Sequence, residues 1–183
     1  MAGYDILKNG GSSVEAVTKV IKIMENSRLF NAGRGAVRTN KGEIELDASI
    51  MDGRTLKVGS IAGVSKIKNP ISLAKLIMDE APYVFLTGAG AEEYAVNKGM
   101  HLVDSLYYLS DEERAVIEKK NLEEQNKKNK ATKKKRNRRI SIVENEPDIY
   151  KYGTVGCVAL DKDGNLASGT STGGLENKMT GRI

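Results

Sequence analysis

The sequence predicts a protein of the α/β (α+β) class, on three observations. Val14, Val17, Ile21 and Met24 recur at helical spacing, the mark of an amphipathic helix. Short apolar segments at 44–51 and 56–67 are bounded by turn-forming residues and read as strands. A second pair of apolar segments, from Val155 to Leu160 and from Leu166 to Thr170, flanks Asp161-Lys162-Asp163-Gly164-Asn165, and Asp-Gly is among the strongest hairpin signals.

The elements follow in order. A helical reading runs from Asp5 to Met24, with a short helix around Tyr4 to Lys8 set apart by Gly10-Gly11. Ser12 with Glu15 three residues on offers a capping box for the longer helix. The segment Leu29 to Gly35 is a glycine-bearing loop. Ala36 to Thr39 and Ile44 to Met51 read as strands around the turn signal Asn40-Lys41-Gly42. The strand expected over Leu56 to Ile67 stops at Asn69-Pro70, because proline restricts the residue before it. A helix is expected over Ile71 to Met78 and a short strand over Tyr83 to Leu86. A helix over Gly88 to Lys98 takes Gly99 as its cap. Periodicity gives the class here and leaves the particular fold open.

Composition limits what the chain can do. Trp is absent and Phe occurs twice among 183 residues, so the core is aliphatic. No apolar run reaches the roughly 18 residues needed to span a membrane. Met1 to Gly10 does not read as a secretory signal, and the single Cys157 has no internal partner for a disulfide. A cytoplasmic protein is expected. The net charge of +5 is concentrated: residues 119–139 hold eleven Lys or Arg against two Asp or Glu, a local +9, which leaves −4 for the rest. From Asp111 apolar residues thin out, and the stretch 111–153 reads as a lysine-rich linker between an ordered block at 1–110 and another at 154–183.

Thr154 directly follows that linker and opens an apolar strand. If the chain is cut before it, its hydroxyl lies beside a free α-amine, whose ordinary pKa of about 7.7–8.0 leaves it able to act as base near neutral pH. That is the threonine form of nucleophile-plus-base catalysis. Thr170, Ser171 and Thr172 return on the adjacent strand with hydroxyls of their own. From spacing alone, a threonine that merely begins a strand explains the same residues through ordinary β propensity.

Four blocks, in order, carry a resemblance. They are Phe30-Asn31-Ala32-Gly33-Arg34-Gly35, then Glu45-Leu46-Asp47-Ala48-Ser49-Ile50-Met51-Asp52-Gly53, then Ile67-Lys68-Asn69-Pro70-Ile71, then Gly153 to Asp161 continuing through Asp163-Gly164-Asn165-Leu166-Ala167 to Thr170-Ser171-Thr172-Gly173-Gly174. Over residues 2–110 and 152–182 the chain resembles the plant-type asparaginase / isoaspartyl-peptidase family of N-terminal-nucleophile hydrolases. Gly153 before the threonine favours that branch over the glycosylasparaginases, which carry Asp there.

The resemblance implies a four-layer αββα sandwich, incomplete in this chain, whose precursor cleaves itself between Gly153 and Thr154 into two subunits that stay together. It implies hydrolysis of asparagine or of β-aspartyl peptides, and pairing of the cleaved heterodimer into a dimer. Thr154 would be the nucleophile, Thr172 would hydrogen-bond its hydroxyl, Asn31 would contact its amine, and Arg182 would pair with the substrate carboxylate, a task that suits a guanidinium fork. The loop containing Met24, Glu25, Ser27, Phe30, Ala32 and Arg34 resembles one that holds a structural sodium ion through backbone carbonyls; no other cofactor is implied. The family's opening strand and its His-Gly-Gly-Ala-Gly loop are missing, as are the aspartate expected three residues after Arg182 and the Thr-Gly pair of the oxyanion hole. The chain thus reads as truncated at both ends, and a catalytically dead remnant is the alternative reading.

Other signals are weak. His101 stands alone, without the companions a zinc site needs. Gly88-Ala89-Gly90 lacks the third glycine of a dinucleotide fingerprint, and Gly169 to Gly174 lacks a P-loop lysine. Lys133-Lys134-Lys135-Arg136 with Arg138-Arg139 could form a nuclear-targeting or nucleic-acid patch. No aromatic residues are interleaved there for base stacking, so a solvated linker is the expectation and nucleic acid is not an expected partner.

Overall fold

The computed structural model describes residues 1–110, 113–115, 119 and 152–183. The chain divides into two compact units, residues 1–108 with 150–183, and residues 109–149. In the second unit, Ser110 and Glu113 cap each other, main-chain N–H to side chain in both directions at 2.6 and 3.0 Å. Residues 111–112, 116–118 and 120–151 of the lysine-rich stretch, with its basic patch, lie outside the described residues.

The first unit is a five-stranded sheet with helices packed on it. Its strands are β1 (Leu46–Asp52), β2 (Val58–Val64), β3 (Phe85–Thr87), β4 (Val155–Leu160) and β5 (Leu166–Thr172), in the spatial order β3-β2-β1-β5-β4. Only the β2–β3 pair is parallel; the other neighbours are antiparallel. The helices are α1 (Ala2–Lys8), α2 (Ser13–Glu25), α3 (Pro70–Glu80) and α4 (Gly88–Asn97). The α/β class expected from the sequence is what the chain adopts. The described residues supply one sheet and one layer of helices against it.

Local chemistry explains the elements. Ser12 caps α2 by accepting the Glu15 N–H at 3.2 Å, while Glu15 accepts the Ser12 N–H at 2.9 Å. Pro70 opens α3, where its missing N–H costs nothing. Gly99, at φ 82°, follows the end of α4 in the left-handed region. The side-chain period of two divides the sheet. Leu46, Ala48 and Ile50 of β1, Ala167 of β5 and Val155 of β4 are buried beneath α2 and α3. Gly169 leaves room on that face for Val17, Ile21 and Ile71, whose side-chain atoms a Cβ there would meet at 2.9–3.3 Å. These residues belong to one aliphatic core.

Two expected elements differ. Ala36 to Thr39 forms no strand: Val37 N–H donates to the Asn31 side chain, and Arg38 accepts the Asn177 N–H, so its ladder groups are taken by loops. Thr39 makes an isolated bridge to Lys178 only. The strand expected from Leu56 begins instead at Val58, because Leu56 sits at φ 58°, outside the extended region.

Candidate active site

Alternation along β4 and β5 decides which hydroxyls meet. Val155 pairs with Ser171 across the two strands, so Thr154, one residue earlier, falls opposite Thr172 on the face away from the helices. Their hydroxyl oxygens are 2.8 Å apart. Thr172 Oγ1 also accepts the Gly174 N–H at 2.9 Å. One lone pair of Thr172 is therefore committed, and its remaining hydrogen-bonding capacity points at Thr154. The other hydroxyls of the strand do different things. Thr170 bonds Ser49 at 3.1 Å on the same open face, and Ser171 points to the helical side, fully buried.

Asn31 ties this pair to the 29–31 segment. Its main-chain N–H donates to the carbonyls of Tyr152 at 2.9 Å and Gly153 at 3.2 Å. Its Nδ2 donates to the Gly174 carbonyl at 2.7 Å, its Oδ1 accepts the Val37 N–H at 3.0 Å, and its own carbonyl accepts the Gly173 N–H at 3.1 Å. Tyr152 is fixed further by donating its N–H to Leu29 at 2.7 Å and by its ring, 5.5 Å from that of Phe30. The carbonyl of the Gly153–Thr154 bond thus carries a main-chain donor, and Asn31 reaches Tyr152 and Gly153 on the N-terminal side of that bond and the turn beyond Thr172. The resemblance singled out Asn31 as a contact of the Thr154 amine; its main-chain donor to Gly153 has no sequence signal, because every residue but proline has one.

The remaining residues singled out in the sequence lie as follows. Arg182 is exposed, its N–H held by the Met179 carbonyl at 3.0 Å, and its guanidinium is unpaired among the described residues. Its neighbour Ile183 lines the same shallow pocket as Asp47, Thr170 and Thr172, which brings the end of the chain to the Thr172 end of the sheet. The 24–34 loop folds tightly onto itself. A Cβ at Gly33, which sits at φ 53°, would lie 2.5 Å from the Glu25 carbonyl oxygen, and one at Gly35 would collide with the carbonyls of Phe30 and Arg28. Met24, Phe30 and Ala32 each give one carbonyl lone pair to a backbone N–H, of Ser27, Ala32 and Gly35 respectively, and retain a second. A loop crowded with hard oxygen acceptors fits a sodium ion. Among the described residues no cluster of His, Cys, Asp and Glu could hold a metal.

Two further groups escaped sequence reasoning. The Glu25 carboxyl is fully buried; Oε1 accepts the Ile71 N–H at 2.9 Å and Oε2 has no hydrogen-bond partner. Burial pushes this carboxyl up to about 7, against the opposing pull of Ile71, Ser171, Asn69 and the Lys22 charge. The Lys178 side chain is likewise buried, between Glu45 and Asp47. Cys157 faces the helices with Val155 and Ala159, away from Thr154, and burial raises its thiol above the usual range.

The model of the asparaginase family matches residues 1–183. The chain is 43% identical over 182 residues to an isoaspartyl peptidase/L-asparaginase of Bos taurus, covering 99% of this chain and 53% of that protein. It is 39% identical to a probable isoaspartyl peptidase/L-asparaginase 2 of Arabidopsis thaliana, covering 99% of this chain and 58% of the relative. The isoaspartyl peptidase of Escherichia coli (strain K12) is 40% identical, with 99% and 53% covered. The chain spans about half the length of the curated relatives it matches. With a family match along its whole length, and a paired-threonine strand junction where the resemblance expects a nucleophile, the chain belongs to the asparaginase family.

Proposed function

We propose that the protein is an amidohydrolase acting on L-asparagine or β-aspartyl peptides through Thr154, exposed as an N-terminal residue by cleavage of the Gly153–Thr154 bond. The observation that carries this reading is the 2.8 Å contact between the Thr154 and Thr172 hydroxyls beside a Gly153 carbonyl that already accepts the Asn31 N–H. The names of the relatives support the substrate class.

In the cleavage, Thr154 Oγ1 attacks the Gly153 carbonyl carbon, the C–N bond breaks, and the acyl group passes to oxygen. The new α-amine takes up a proton, and water hydrolyses the ester to a Gly153 carboxylate and a free Thr154. In turnover, the Thr154 amine accepts the hydroxyl proton, Oγ1 attacks the substrate side-chain carbonyl, and the proton leaves with the amine or ammonia. Water then releases aspartate. Thr172 holds the nucleophile in place and supplies a hydrogen bond while charge moves on Oγ1. Asn31 holds Tyr152 and Gly153 before the junction and the turn beyond Thr172, and Arg182 pairs with the substrate carboxylate. A sodium ion held by carbonyls of the 24–34 loop would keep that loop, and hence Asn31, in shape.

In this reading residues 1–110 form the body of one subunit, 111–153 its lysine-rich tail and 154–183 the start of the other, the two staying together and pairing into a dimer. The open face of the sheet is where the second sheet of the sandwich would lie. We place the protein in the cytoplasm; no helix among the described residues is long and apolar enough to cross a membrane.

Intact mass followed at neutral pH over several days tests the reading. A fragment beginning at Thr154 should appear, Thr154→Ala should stay whole, and processed protein should release aspartate from a β-aspartyl dipeptide. A persistent 19.9 kDa species that releases none would sink it.

A further inference from the structure

The segment between Thr172 and the end of the chain carries one buried cation, Lys178. Lys178 lies six residues beyond Thr172, in a loop that forms no strand or helix. Its side chain is 2% exposed, and Nζ lies 3.7 Å from both Glu45 Oε2 and Asp47 Oδ2. Nζ is buried yet makes no hydrogen bond, so ionic attraction and packing hold it. The aliphatic stem folds over Gly174, where a Cβ would lie 2.9–3.3 Å from Nζ, Cδ and Cε. Gly174, at φ 78°, is therefore both the turn residue and the floor under the lysine.

Both carboxylates have second tasks that join the loop to the sheet. Glu45 accepts the Gly181 N–H with both oxygens, at 3.0 Å each. Asp47 accepts the Gly63 N–H at 2.8 Å through its other oxygen, and it sits directly across β1·β5 from Thr172. A charge cluster thus connects the strand residue opposite Thr172, the loop and the residue preceding Arg182. The loop has two sets of anchors. Gly173 and Gly174 are tied to Asn31. Beyond Gly174, the ties to the sheet and the 38–45 segment are the Asn177 N–H to Arg38, the Asn40 N–H to the Lys178 carbonyl, and the Glu45–Lys178–Asp47 cluster with Gly181.

We propose that Lys178 is a positioning residue for substrate binding, clamping residues 175–182 to β1 so that Arg182 presents its guanidinium at a fixed place beside the threonine pair. The proposal rests on the reading of Arg182 as the carboxylate-pairing residue. Because Asn31 anchors Gly173 and Gly174, the turn that follows Thr172, independently of Lys178, removal of the clamp should harm binding and spare the chemical step.

The test compares wild type, Lys178→Met and Lys178→Arg on a β-aspartyl dipeptide, with amide hydrogen exchange on the same samples. Lys178→Met is expected to raise KM tenfold or more with kcat within threefold. It should speed exchange at Gly181 tenfold or more and leave Gly173 unchanged. Lys178→Arg should recover most of both effects. In an Arg182→Ala background Lys178→Met should add nothing further to KM, since the clamp acts through Arg182. Removing the lysine leaves two carboxylates facing each other, which can cost folding. Glu45→Gln, which keeps its length and loses the charge, should then show the same KM and exchange changes, smaller. Unchanged KM and Gly181 exchange would overturn the proposal, as would a fall in kcat as large as the rise in KM. A wild type that hydrolyses nothing would sink the parent reading, and Gly181 exchange alone would then decide the clamp.

Discussion

Thr172 accepts the Gly174 N–H and faces Thr154 at 2.8 Å, so its methyl and its hydroxyl can be separated by substitution. Thr172→Ser keeps both hydrogen bonds and should process and turn over near the wild-type rate. Thr172→Val keeps the shape and loses them; cleavage and hydrolysis should fall at least tenfold, while the Gly174 N–H forfeits an acceptor at a cost of about 1–3 kcal/mol. Equal rates for the two variants, followed by mass spectrometry and aspartate release, would remove Thr172 from the chemistry. The resemblance named Thr154 and Thr172, and the period of two explains why neighbouring Ser171 is not their companion. Glu25 had no such signal, because nothing local announces that a helix-terminal glutamate is buried under β5. Its carboxyl binds a proton more tightly in the folded protein, at about 7 against an ordinary 4.5. Its contribution to stability is thus complete below about pH 4.5 and lost as the pH rises to about 7. The separation corresponds to about 3 kcal/mol at ~1.4 kcal/mol per pH unit. Glu25→Gln, compared with wild type by urea unfolding from pH 4.5 to 8, should gain stability relative to wild type as the pH rises. A constant difference between the two would show that Glu25 titrates normally.

At the scale of the element, legibility followed how local the cause is. The α2 capping box and the Asp-Gly turn of the β4–β5 hairpin are each set by residues within a few positions of one another, and each was readable, whereas Pro70, read as the stop of the strand before it, also opens α3. Asp161 shows where reading stopped. It forms the hairpin turn by accepting the Asn165 and Asp163 N–H groups, and it also accepts the N–H and hydroxyl of Ser13 at the start of α2, a contact across 148 residues that no window reveals. The Asn165 N–H, with help from Ser13, holds its carboxyl below the ordinary value. Ala36 to Thr39 misled although its residues suit a strand: the nearby Asn31 side chain and Glu43 carbonyl and the distant Asn177 N–H took its hydrogen-bonding groups. β2 fits tightly against α3 at Gly59. A Cβ at Gly59 would run into the Ala74 carbonyl and lie 2.5 Å from the Met78 nitrogen and 2.8 Å from its Cβ. Gly59→Ala should therefore force strand and helix apart and destabilise by about 1–3 kcal/mol. Gly153→Ala, where an added Cβ meets nothing within 4 Å, should cost far less. Urea midpoints that fall equally for both would show that the packing has slack.

For the molecule as a whole, the strand order was beyond sequence reasoning, because β1 pairs with β5 across contacts such as Ser49 to Thr170, 121 residues apart. What that order creates is a sheet with two unlike faces. The helical side holds the buried aliphatic core. The opposite side presents Val158, 78% exposed, with Leu160, Leu166, Met51 and Phe85 also exposed. Met51, Val158 and Leu166 line one shallow depression there. Contiguous apolar surface of this kind marks a contact face, and in the proposed sandwich it is the face on which the second sheet rests. A chain of these 183 residues alone should then associate through it. Light scattering on the chain at tens of micromolar should report a mass above 19.9 kDa. The double substitution Val158→Lys with Leu166→Lys places two charges on the face without touching the helical core. It should bring the mass down to that of a single chain and leave the circular dichroism unchanged. If the substituted chain associates as strongly as the original, its contacts lie elsewhere and the open face tolerates water. The argument for a second sheet there would then lose its physical basis, even though the family assignment, which rests on sequence, would stand.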